Sequence, residues 1–279
     1  QYTTLRIGGP AEVMVNIHSA DEIAVALRAA KQADAPVTII GNGSNLLVRD
    51  GGIRGLVLRI SGGLNAIRRE GDCLLVQAGA SLAAVAAFAR DEGLSGMAEL
   101  GGIPGTVGGG VLMNAGAYGA ELAQLVTQAE GVSLSDGRRV VYPADRLDFA
   151  YRHSALMDAG VVITQATLAL APGDSEAIRA RMEECAKARR EKQPLTLPSA
   201  GSTFKRPEGH FAAKLIDDCG LRGLTVGGAQ VSEKHAGFIV NIGGATARDM
   251  LELMRQVEQR VFEQTGVQLE PEVRILGED

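Results

Sequence analysis

Eight of the nineteen residues at positions 101–119 are glycine, and this segment constrains the fold more than any other part of the sequence. Glycine loses more conformational freedom on folding than any other residue, so a connection this rich in glycine is costly to order. In return, a backbone without Cβ atoms can approach a ligand closely. Glycine is frequent throughout, at 36 of 279 residues against a usual share of about 7%. We therefore predict that residues 101–119 form a loop that wraps a pyrophosphate or a flat ring.

The length and composition are those of a globular enzyme. A chain of 279 residues suits two or three compact units, each large enough to bury a core. Hydrophobic residues make up 46% and charged residues 22%, which argues against disorder and against a membrane protein. No apolar run approaches the roughly 18 residues that span a bilayer, and the N-terminus lacks the pattern of a signal peptide. We therefore expect a soluble, cytoplasmic protein that does not contact a membrane.

Charge, aromatic content and cysteine spacing argue against several kinds of site. A net charge of −5 with 4% aromatic residues is untypical of nucleic-acid binding, so no nucleic-acid partner is expected. Cys73, Cys185 and Cys219 are odd in number and widely spaced, which argues against a disulfide framework and a zinc site. The histidines also lack ligand spacing, so the sequence predicts no metal.

Apolar periodicity and capping signals predict mixed helix and strand along the whole chain. Ser19 and Ser81 are predicted to cap two helices, the second ending near Glu92 before Gly93. A hairpin is predicted around Ser135-Asp136-Gly137. Helices are predicted at about 20–32, 82–92, 175–192, 211–219 and 246–264. Strands are predicted at 12–17, 37–40, 46–48, 56–60, 74–77, 128–134, 139–142, 161–170 and 267–276.

A second glycine turn follows the strand predicted at 37–40. Its residues are Gly41, Asn42, Gly43, Ser44 and Asn45. A dinucleotide-binding G-x-G-x-x-G motif fails here because position 46 is leucine and the residues that follow are strand-like. The residues alone leave open whether this turn holds a phosphate through its N–H groups or is an ordinary tight turn.

Three further clusters combine polar and charged residues. YRHS at 151–154 contains Arg152, whose guanidinium suits a carboxylate, although a solvated surface cluster is the simpler interpretation. SAGSTFKRP at 199–207 is either an anion site or a hydroxyl-rich turn, and no hydrolase motif surrounds its serines. EPEVR at 270–274 would place Glu270, Glu272 and Arg274 on one face of a strand, where surface ion pairing is the simpler interpretation.

In combination, these segments resemble the UDP-N-acetylenolpyruvoylglucosamine reductase (UDP-N-acetylmuramate dehydrogenase) family. The resemblance runs from TTLRIGGPA at 3–11 through the five motifs above, in order, and includes GAQVSEKHAGF at 228–238. It implies an α+β fold with a two-subdomain FAD-binding portion of the vanillyl-alcohol-oxidase type and a C-terminal α+β substrate domain. The expected boundaries are 1–60 and 61–185 for the two FAD-binding subdomains and 186–279 for the substrate domain.

The resemblance also implies the site residues. The catalytic positions that match the family are Arg152, Ser202 and Glu272. The matching cofactor-binding positions are Gly41, Asn42, Gly43, Ser44, Asn45, Gly102, Gly105, Thr106, Gly108, Gly109, Asn114, Gly116, Ala117 and Tyr118. The substrate-binding candidates are Lys192, Lys205, Arg206 and Arg274. Arg206 stands where longer members have asparagine, and the chain resembles the shorter subgroup, which lacks an inserted tyrosine-bearing loop.

The implied reaction uses FAD as cofactor, with NADPH and UDP-N-acetylglucosamine enolpyruvate as its two ligands. A hydride passes from NADPH to FAD and then to the vinyl carbon, while Arg152, with Glu272, stabilises the negative charge that develops at the substrate carboxylate. Ser202 is the expected general acid, assisted by Lys205 or by an ordered water. Two rival hypotheses are an oxidase on the same scaffold and a flavin-binding or nucleotide-sugar-binding module without turnover.

Two points concern the chain as a whole. The sequence starts at Gln1 without a methionine, whereas relatives carry a preceding segment, so we expect an incomplete N-terminus. The sequence predicts no oligomeric state.

Overall fold

The computed structural model describes residues 2–279, and contacts within it divide the chain into two compact units. Unit 1 comprises the described residues up to Glu12, together with Gly43–Arg54 and Arg190–Asp279. Unit 2 comprises Val13–Asn42 and Gly55–Arg189. The division into three domains expected from the sequence stays a prediction.

Helices and strands alternate irregularly along the chain. Within residues 2–279, the α-helices are α1 (Ala20–Gln32), α2 (Leu82–Asp91), α3 (Val107–Leu112), α4 (Ser175–Lys192), α5 (Ala212–Asp218) and α6 (Ala247–Thr265). The strands are β1 (Ala11–Asn16), β2 (Val37–Ile40), β3 (Leu46–Val48), β4 (Ile53–Arg59), β5 (Ile67–Glu70), β6 (Cys73–Gln77), β7 (Leu94–Ser95), β8 (Gly116–Ala117), β9 (Ala120–Glu121), β10 (Val126–Ser133), β11 (Arg139–Pro143), β12 (Val161–Ala169), β13 (Ala171–Pro172), β14 (Thr225–Val226), β15 (Ala229–Val231), β16 (Ile239–Asn241) and β17 (Arg274–Leu276).

The largest sheet lies in unit 2 and has the order β11-β10-β12-β6-β5, with every neighbouring pair antiparallel. β10 and β11 form the predicted hairpin, and Gly137 at φ 72° lies in its turn. A three-stranded sheet with the order β1-β4-β2 includes a parallel pairing of β2 with β4. Helices α1 to α4 lie along the same part of the chain, so the site segments of unit 2 are placed by a mixed α/β scaffold.

Unit 1 contains smaller sheets. β14, β15 and β16 form an antiparallel sheet, and β17 pairs with β3 in parallel, with Arg274 opposite Leu46. This last pairing brings the end of the chain beside residues that follow the first glycine turn. The sequence did not indicate β14 to β16, because strands of two or three residues are too short to show a period.

Each unit has its own hydrophobic core. In unit 2 the core is built from strands of the large sheet and from helices, with Leu74, Leu82 and Leu168 fully buried. In unit 1, Leu253 and Val261 of α6 pack with Leu5 near the start of the chain. Burial of apolar surface is the dominant favourable term in folding, so each unit has its own source of stability.

Most helix boundaries follow the capping signals. The Ser19 hydroxyl accepts the N–H of Glu22 at the start of α1, and the Ser81 hydroxyl accepts the N–H of Ala84 at the start of α2. Gly93 adopts φ 66° just beyond α2, as expected for a residue after a helix end. The two predicted N-caps are therefore confirmed.

Two predicted segments differ from the structure. Residues 101–119 are not loop throughout, because Thr106 caps the six-residue helix α3 within them. The final strand covers only Arg274–Leu276, whereas 267–276 was predicted. Pro271 lacks an N–H donor and makes an isolated bridge with Phe204, which separates Glu270 and Glu272 from a continuous ladder. The prediction that Glu270, Glu272 and Arg274 share one face of a strand is therefore wrong.

Among residues 2–279, no helix combines the length and the apolar character that crossing a membrane requires.

Candidate functional site

The first glycine turn presents unpaired backbone donors. Gly43 adopts φ 63°, and a Cβ at this position would meet the backbone oxygen of Tyr2, so only glycine fits. Within the described residues, the N–H groups of Gly43, Ser44 and Asn45 have no hydrogen-bond acceptor. Three successive N–H donors in one turn suit an anion such as a phosphate. The turn therefore fits the phosphate-bearing cofactor that the sequence predicts.

The start of this turn contacts the glycine-rich segment within unit 2. The Asn42 carboxamide donates to the carbonyl of Pro104 at 3.1 Å. A Cβ on Gly41 would lie 2.5 Å from the Thr106 hydroxyl, so the two backbones approach closely because Gly41 has no side chain. Ser61 donates to the carbonyl of Gly41 at 3.2 Å. Two segments whose contact residues Asn42 and Pro104 are 62 positions apart in the chain, and which the sequence assigns to the cofactor, are thus brought together.

The glycines of the segment divide into two groups. A Cβ on Gly101, Gly108, Gly110 or Gly116 would lie less than 3.0 Å from another protein atom, so packing within the protein requires glycine at these positions. At Gly109, by contrast, the nearest atom would be the Thr106 hydroxyl at 3.5 Å. The sequence attributes all of these glycines to ligand approach, and the structure gives four of them a packing reason as well.

The first N–H groups of helix α3 all have acceptors within the protein. The N–H groups of Val107 and Gly108 donate to the carbonyls of Ala80 and Ala78 at 2.8 and 2.9 Å. The N–H of Gly109 donates to the Thr106 hydroxyl, which is 2% exposed. These donors are therefore engaged by the protein, and any ligand here is met by the open backbone surface at Gly109 rather than by the end of the helix.

Arg152 lies on a tight turn that is held against the same segment. It adopts φ 54°, and its guanidinium donates to the carbonyl of Gly116 at 3.3 Å. The guanidinium also lies 4.9 Å from the centre of the Tyr151 ring, a cation–π contact. A left-handed conformation is uncommon for a residue other than glycine and costs free energy, so the surrounding contacts must hold this turn in place.

Those contacts come from buried polar side chains. Asn114 is 1% exposed, and its carboxamide donates to Glu121 and to the carbonyl of Ala150, while its oxygen accepts the N–H of Ala123. Ser154, which is fully buried, donates to the carbonyl of Leu112 at 2.8 Å. The network fixes the turn that contains Arg152 to the glycine-rich segment. Direct contact of Asn114 with a cofactor stays a prediction.

Tyr118 ends the segment against α4. It adopts φ 53°, and its hydroxyl donates to the carbonyl of Cys185 at 3.3 Å. The Tyr118 side chain remains 41% exposed, so the ring still offers a surface to a ligand. Ala117 lies beside it in β8.

Ser202 and Glu272 are brought together in unit 1 by backbone pairing. The carbonyl of Thr203 accepts the N–H of Glu272 at 2.8 Å, and the carbonyl of Glu272 accepts the Asn45 carboxamide at 3.0 Å. The Ser202 side chain is exposed, and its hydroxyl has no hydrogen-bond partner among residues 2–279. An exposed hydroxyl in a segment whose backbone is paired with that of Glu272 can meet a bound molecule directly.

Thr203 is a positioning residue that the sequence interpretation missed. It is 2% exposed, its N–H donates to the carbonyl of Gly237, and its hydroxyl accepts the N–H of Ile239 at 3.0 Å. It thus joins the segment of Ser202 to both neighbouring segments. No alternation in the sequence marks it, because Thr203 and the next residue, Phe204, are both buried.

The four predicted substrate cations all lie in unit 1, in different surroundings. Lys205 forms an ion pair with Glu270 at 3.3 Å, and the Arg206 guanidinium lies 4.6 Å from the centre of the Phe211 ring. Lys192 ends α4 and Arg274 begins β17, and both side chains are exposed. An exposed pair such as Lys205–Glu270 contributes little to stability, so Lys205 can exchange its partner for a ligand at small cost.

No group of three or more histidine, cysteine, aspartate or glutamate residues within 2–279 is arranged to hold a metal ion.

Two family models match the chain: "FAD binding domain" at residues 11–142 and "UDP-N-acetylenolpyruvoylglucosamine reductase, C-terminal domain" at residues 193–276. The UDP-N-acetylenolpyruvoylglucosamine reductases of Pediococcus pentosaceus and Agathobacter rectalis are each 49% identical over 100% of this chain and 92% of their own length. The crystal structure of the corresponding reductase from Thermus caldophilus matches with a TM-score of 0.85 and 40% identity, over 98% of this chain and 95% of that one. The predicted α+β fold, with an FAD-binding portion and a C-terminal domain, is confirmed by these matches.

Proposed function

Since the chain belongs to the UDP-N-acetylenolpyruvoylglucosamine reductase family and is an FAD-dependent oxidoreductase, we propose how its own residues carry out the reaction. That reaction is reduction of the enolpyruvyl group of UDP-N-acetylglucosamine enolpyruvate to UDP-N-acetylmuramate, a step of peptidoglycan synthesis. NADPH is the proposed reductant and the cytoplasm the proposed location. The observation that carries the proposal is the similarity over the whole chain, together with N–H groups in the first glycine turn that have no acceptor among residues 2–279.

FAD, when bound, supplies hydride transfer between NADPH and the vinyl carbon. The predicted residues that would hold it are, in unit 1, Gly43, Ser44 and Asn45 through their N–H groups and, in unit 2, Gly109 through its open backbone. The cofactor-binding role extends to Asn42 and the rest of the predicted set in the glycine-rich segment. Support comes from the hydrogen bond of Asn42 to Pro104, which places that segment against the first turn.

Arg152 and Glu272 are the proposed groups that act on the substrate carboxylate. As hydride reaches the vinyl carbon, negative charge develops toward that carboxylate, and a fixed guanidinium stabilises it without reorganising. The anchored turn supports this role, because Asn114 and Ser154 hold the backbone of Arg152 before any ligand binds. Glu272 orients the group from a backbone position fixed by Thr203.

Ser202 is the proposed general acid that protonates the carbon next to the carboxylate. Its support is an exposed hydroxyl that has no hydrogen-bond partner in the described part of the chain. An unassisted hydroxyl is a weak acid, so a cation or an ordered water must assist it. Lys205 is one candidate for that assistance once its ion pair with Glu270 opens. The other route is a water bound with the substrate.

Lys192, Lys205, Arg206 and Arg274 are proposed to bind the anionic part of the UDP-sugar. Guanidinium and ammonium groups suit a diphosphate, with the planar fork of arginine giving two parallel bonds. Residues 1–60 and 61–185 are proposed as the FAD-binding subdomains, and residues 186–279 as the substrate domain.

The proposal is tested by spectra taken without oxygen. Purified protein is expected to be yellow, to bleach when NADPH is added, and to regain its colour when UDP-N-acetylglucosamine enolpyruvate follows. Colour that returns only with oxygen would favour an oxidase on this scaffold. Protein that never bleaches would be a binding module, and either result would overturn the proposal.

A further inference from the structure

Helix α4 lies along the glycine-rich segment with one face. Arg181 donates to Glu99 at 2.7 Å just before the segment, and the Met182 methyl lies 3.7 Å from the position of a Cβ on Gly101. The backbone carbonyl of Cys185 accepts a hydrogen bond from the Tyr118 hydroxyl at the far end. These positions recur at helical spacing, so they form one stripe on α4. Arg189 is the next residue on that stripe.

The Arg189 guanidinium packs directly on Gly102. A Cβ on Gly102 would lie 2.9 Å from Nη1 and 3.1 Å from Cδ of Arg189, so the side chain occupies the space that the glycine leaves. Burial lowers the pKa of Arg189 below its usual range, although Tyr118 and Cys185 nearby act in the opposite direction. The charge therefore lies in partly desolvated surroundings.

Arg189 has no acceptor there. Within residues 2–279, its guanidinium makes no hydrogen bond and no ion pair, whereas Arg181 on the same face is paired with both Glu99 and Glu184. Arg189 is only partly buried. A cation near the C-terminal end of a helix interacts favourably with the helix dipole. The neighbours Arg190 and Lys192 are exposed and already supply that interaction, so it does not explain a half-buried Arg189.

We propose that Arg189 binds an oxyanion of a bound ligand, a phosphate or a carboxylate. A half-buried charge is costly unless it is paired, and five donors in a planar fork suit a phosphate or carboxylate group. The inference rests on the proposed function, because FAD, NADPH and the UDP-sugar each carry such a group. It adds a ligand-binding cation in unit 2, whereas the four substrate cations predicted from the sequence all lie in unit 1.

The test compares Arg189→Gln with Arg190→Gln, an adjacent exposed arginine whose side chain has no partner in the described residues. Three quantities are measured: the Kd of FAD, the NADPH dependence of flavin bleaching, and the substrate dependence of colour return. Arg189→Gln is expected to weaken one of these ligands by about tenfold to a hundredfold, the usual effect of losing a charged hydrogen bond. The ligand whose binding is weakened is the one that carries the oxyanion bound by Arg189. Arg190→Gln is expected to match the wild type.

Two further variants separate charge from geometry. Arg189→Lys keeps the charge and loses the fork, so it should weaken the same ligand less than Arg189→Gln does. Gly102→Ala leaves Arg189 in place but displaces its guanidinium, so it should weaken that same ligand; any separate loss of FAD affinity in this variant is assigned to Gly102 itself, a proposed cofactor-binding residue. A residue with a purely structural role would change the unfolding midpoint without selecting one ligand.

The inference is overturned if Arg189→Gln and Arg190→Gln bind all three ligands equally well. This outcome differs from failure of the proposed function, in which the wild-type protein itself would not bleach or would not regain colour. The Kd values of FAD, NADPH and the UDP-sugar can each be measured without turnover, so Arg189 is tested even then.

Discussion

The glycine-rich segment of unit 2 and the Ser202–Glu272 site of unit 1 are organised in opposite ways. In the first, buried side chains such as Thr106 and Asn114 hold an irregular backbone, and open backbone remains available at Gly109. In the second, backbone pairing through Thr203 holds two chain segments, and the side chains remain available. Because its backbone is open, the first region is suited to holding a large flat or phosphate-bearing group. Because its side chains are available, the second is suited to delivering a proton to a single atom of a ligand or to orienting that atom.

The largest expected effect on the rate of substrate reduction comes from removing the Ser202 hydroxyl. Ser202→Ala should slow colour return with the UDP-sugar by about 10²–10⁴-fold, the usual contribution of a general acid, while NADPH still bleaches the flavin at the wild-type rate. Stopped-flow absorbance without oxygen measures both steps. Ser199→Ala in the same segment is the control and should leave both unchanged. Equal slowing of the two steps by Ser202→Ala would make Ser202 structural.

Next in size is a change at the anchored turn. Arg152→Lys should slow substrate reduction by about 10²-fold, because an ammonium cannot reproduce the two parallel donors of the guanidinium. Arg146→Lys is the matched control, since Arg146 also lies over a tyrosine ring, at 5.6 Å from the centre of Tyr142. Near-normal turnover of Arg152→Lys would rule out recognition by the planar fork.

Breaking the hydrogen-bond network of Asn114 should reduce the free energy of unfolding more than it changes the reaction rate. Asn114→Ala leaves Glu121, Ala123 and Ala150 without their partner. It should therefore lower the free energy of unfolding by about 1–3 kcal/mol in urea titrations. Asn114→Gly removes the same side chain but relieves the backbone at φ 43°. If Asn114→Gly is as stable as the wild type, backbone conformation and not the network accounts for the loss.

The smallest effect is a pH dependence in unit 1. Burial lowers the pKa of His235 below its usual value of 6.5, and Nδ1 of its ring accepts the N–H of Gly237. An unfolded chain protonates this histidine first, so its contribution to stability is complete above pH 6.5 and is lost as the pH falls from there through the lowered pKa. Urea unfolding of the wild type should therefore weaken more between these pH values than that of His235→Asn. Identical pH profiles would contradict this assignment.

The sequence predicts regular structure better than the detail of either region. Capping serines and apolar periodicity locate α1, α2, α4 and α6 within a residue or two, because these signals are local. The short helix α3 escapes prediction, since three of its six residues are glycine and its stability depends on tertiary contacts, namely backbone pairing of Gly108 and burial of Val107 and Val111. Pro271 shortens the last strand because proline has no N–H to donate to a ladder, and this signal is local in the sequence.

The site is less predictable because its residues are joined by long-range pairing. Composition and spacing alone leave Arg152, Ser202 and Glu272 in three surface clusters, and the family resemblance is what selects them. Thr203 and Arg189 have no sequence signal of comparable strength. Their roles come from their surroundings. The Thr203 backbone pairs with two other segments, and the Arg189 side chain occupies the space that Gly102 leaves by having no side chain.

The central claim is that open backbone in the glycine-rich segment faces FAD, and the Kd of FAD for Gly109→Ala tests it most directly. The protein leaves room for this Cβ, so the variant should fold at least as stably as the wild type. It should nevertheless bind FAD about tenfold more weakly, or ~1.4 kcal/mol. Gly110→Ala, whose Cβ would lie 2.8 Å from Leu122, should instead lose stability and keep its FAD affinity when folded. A wild-type Kd for Gly109→Ala would contradict the account.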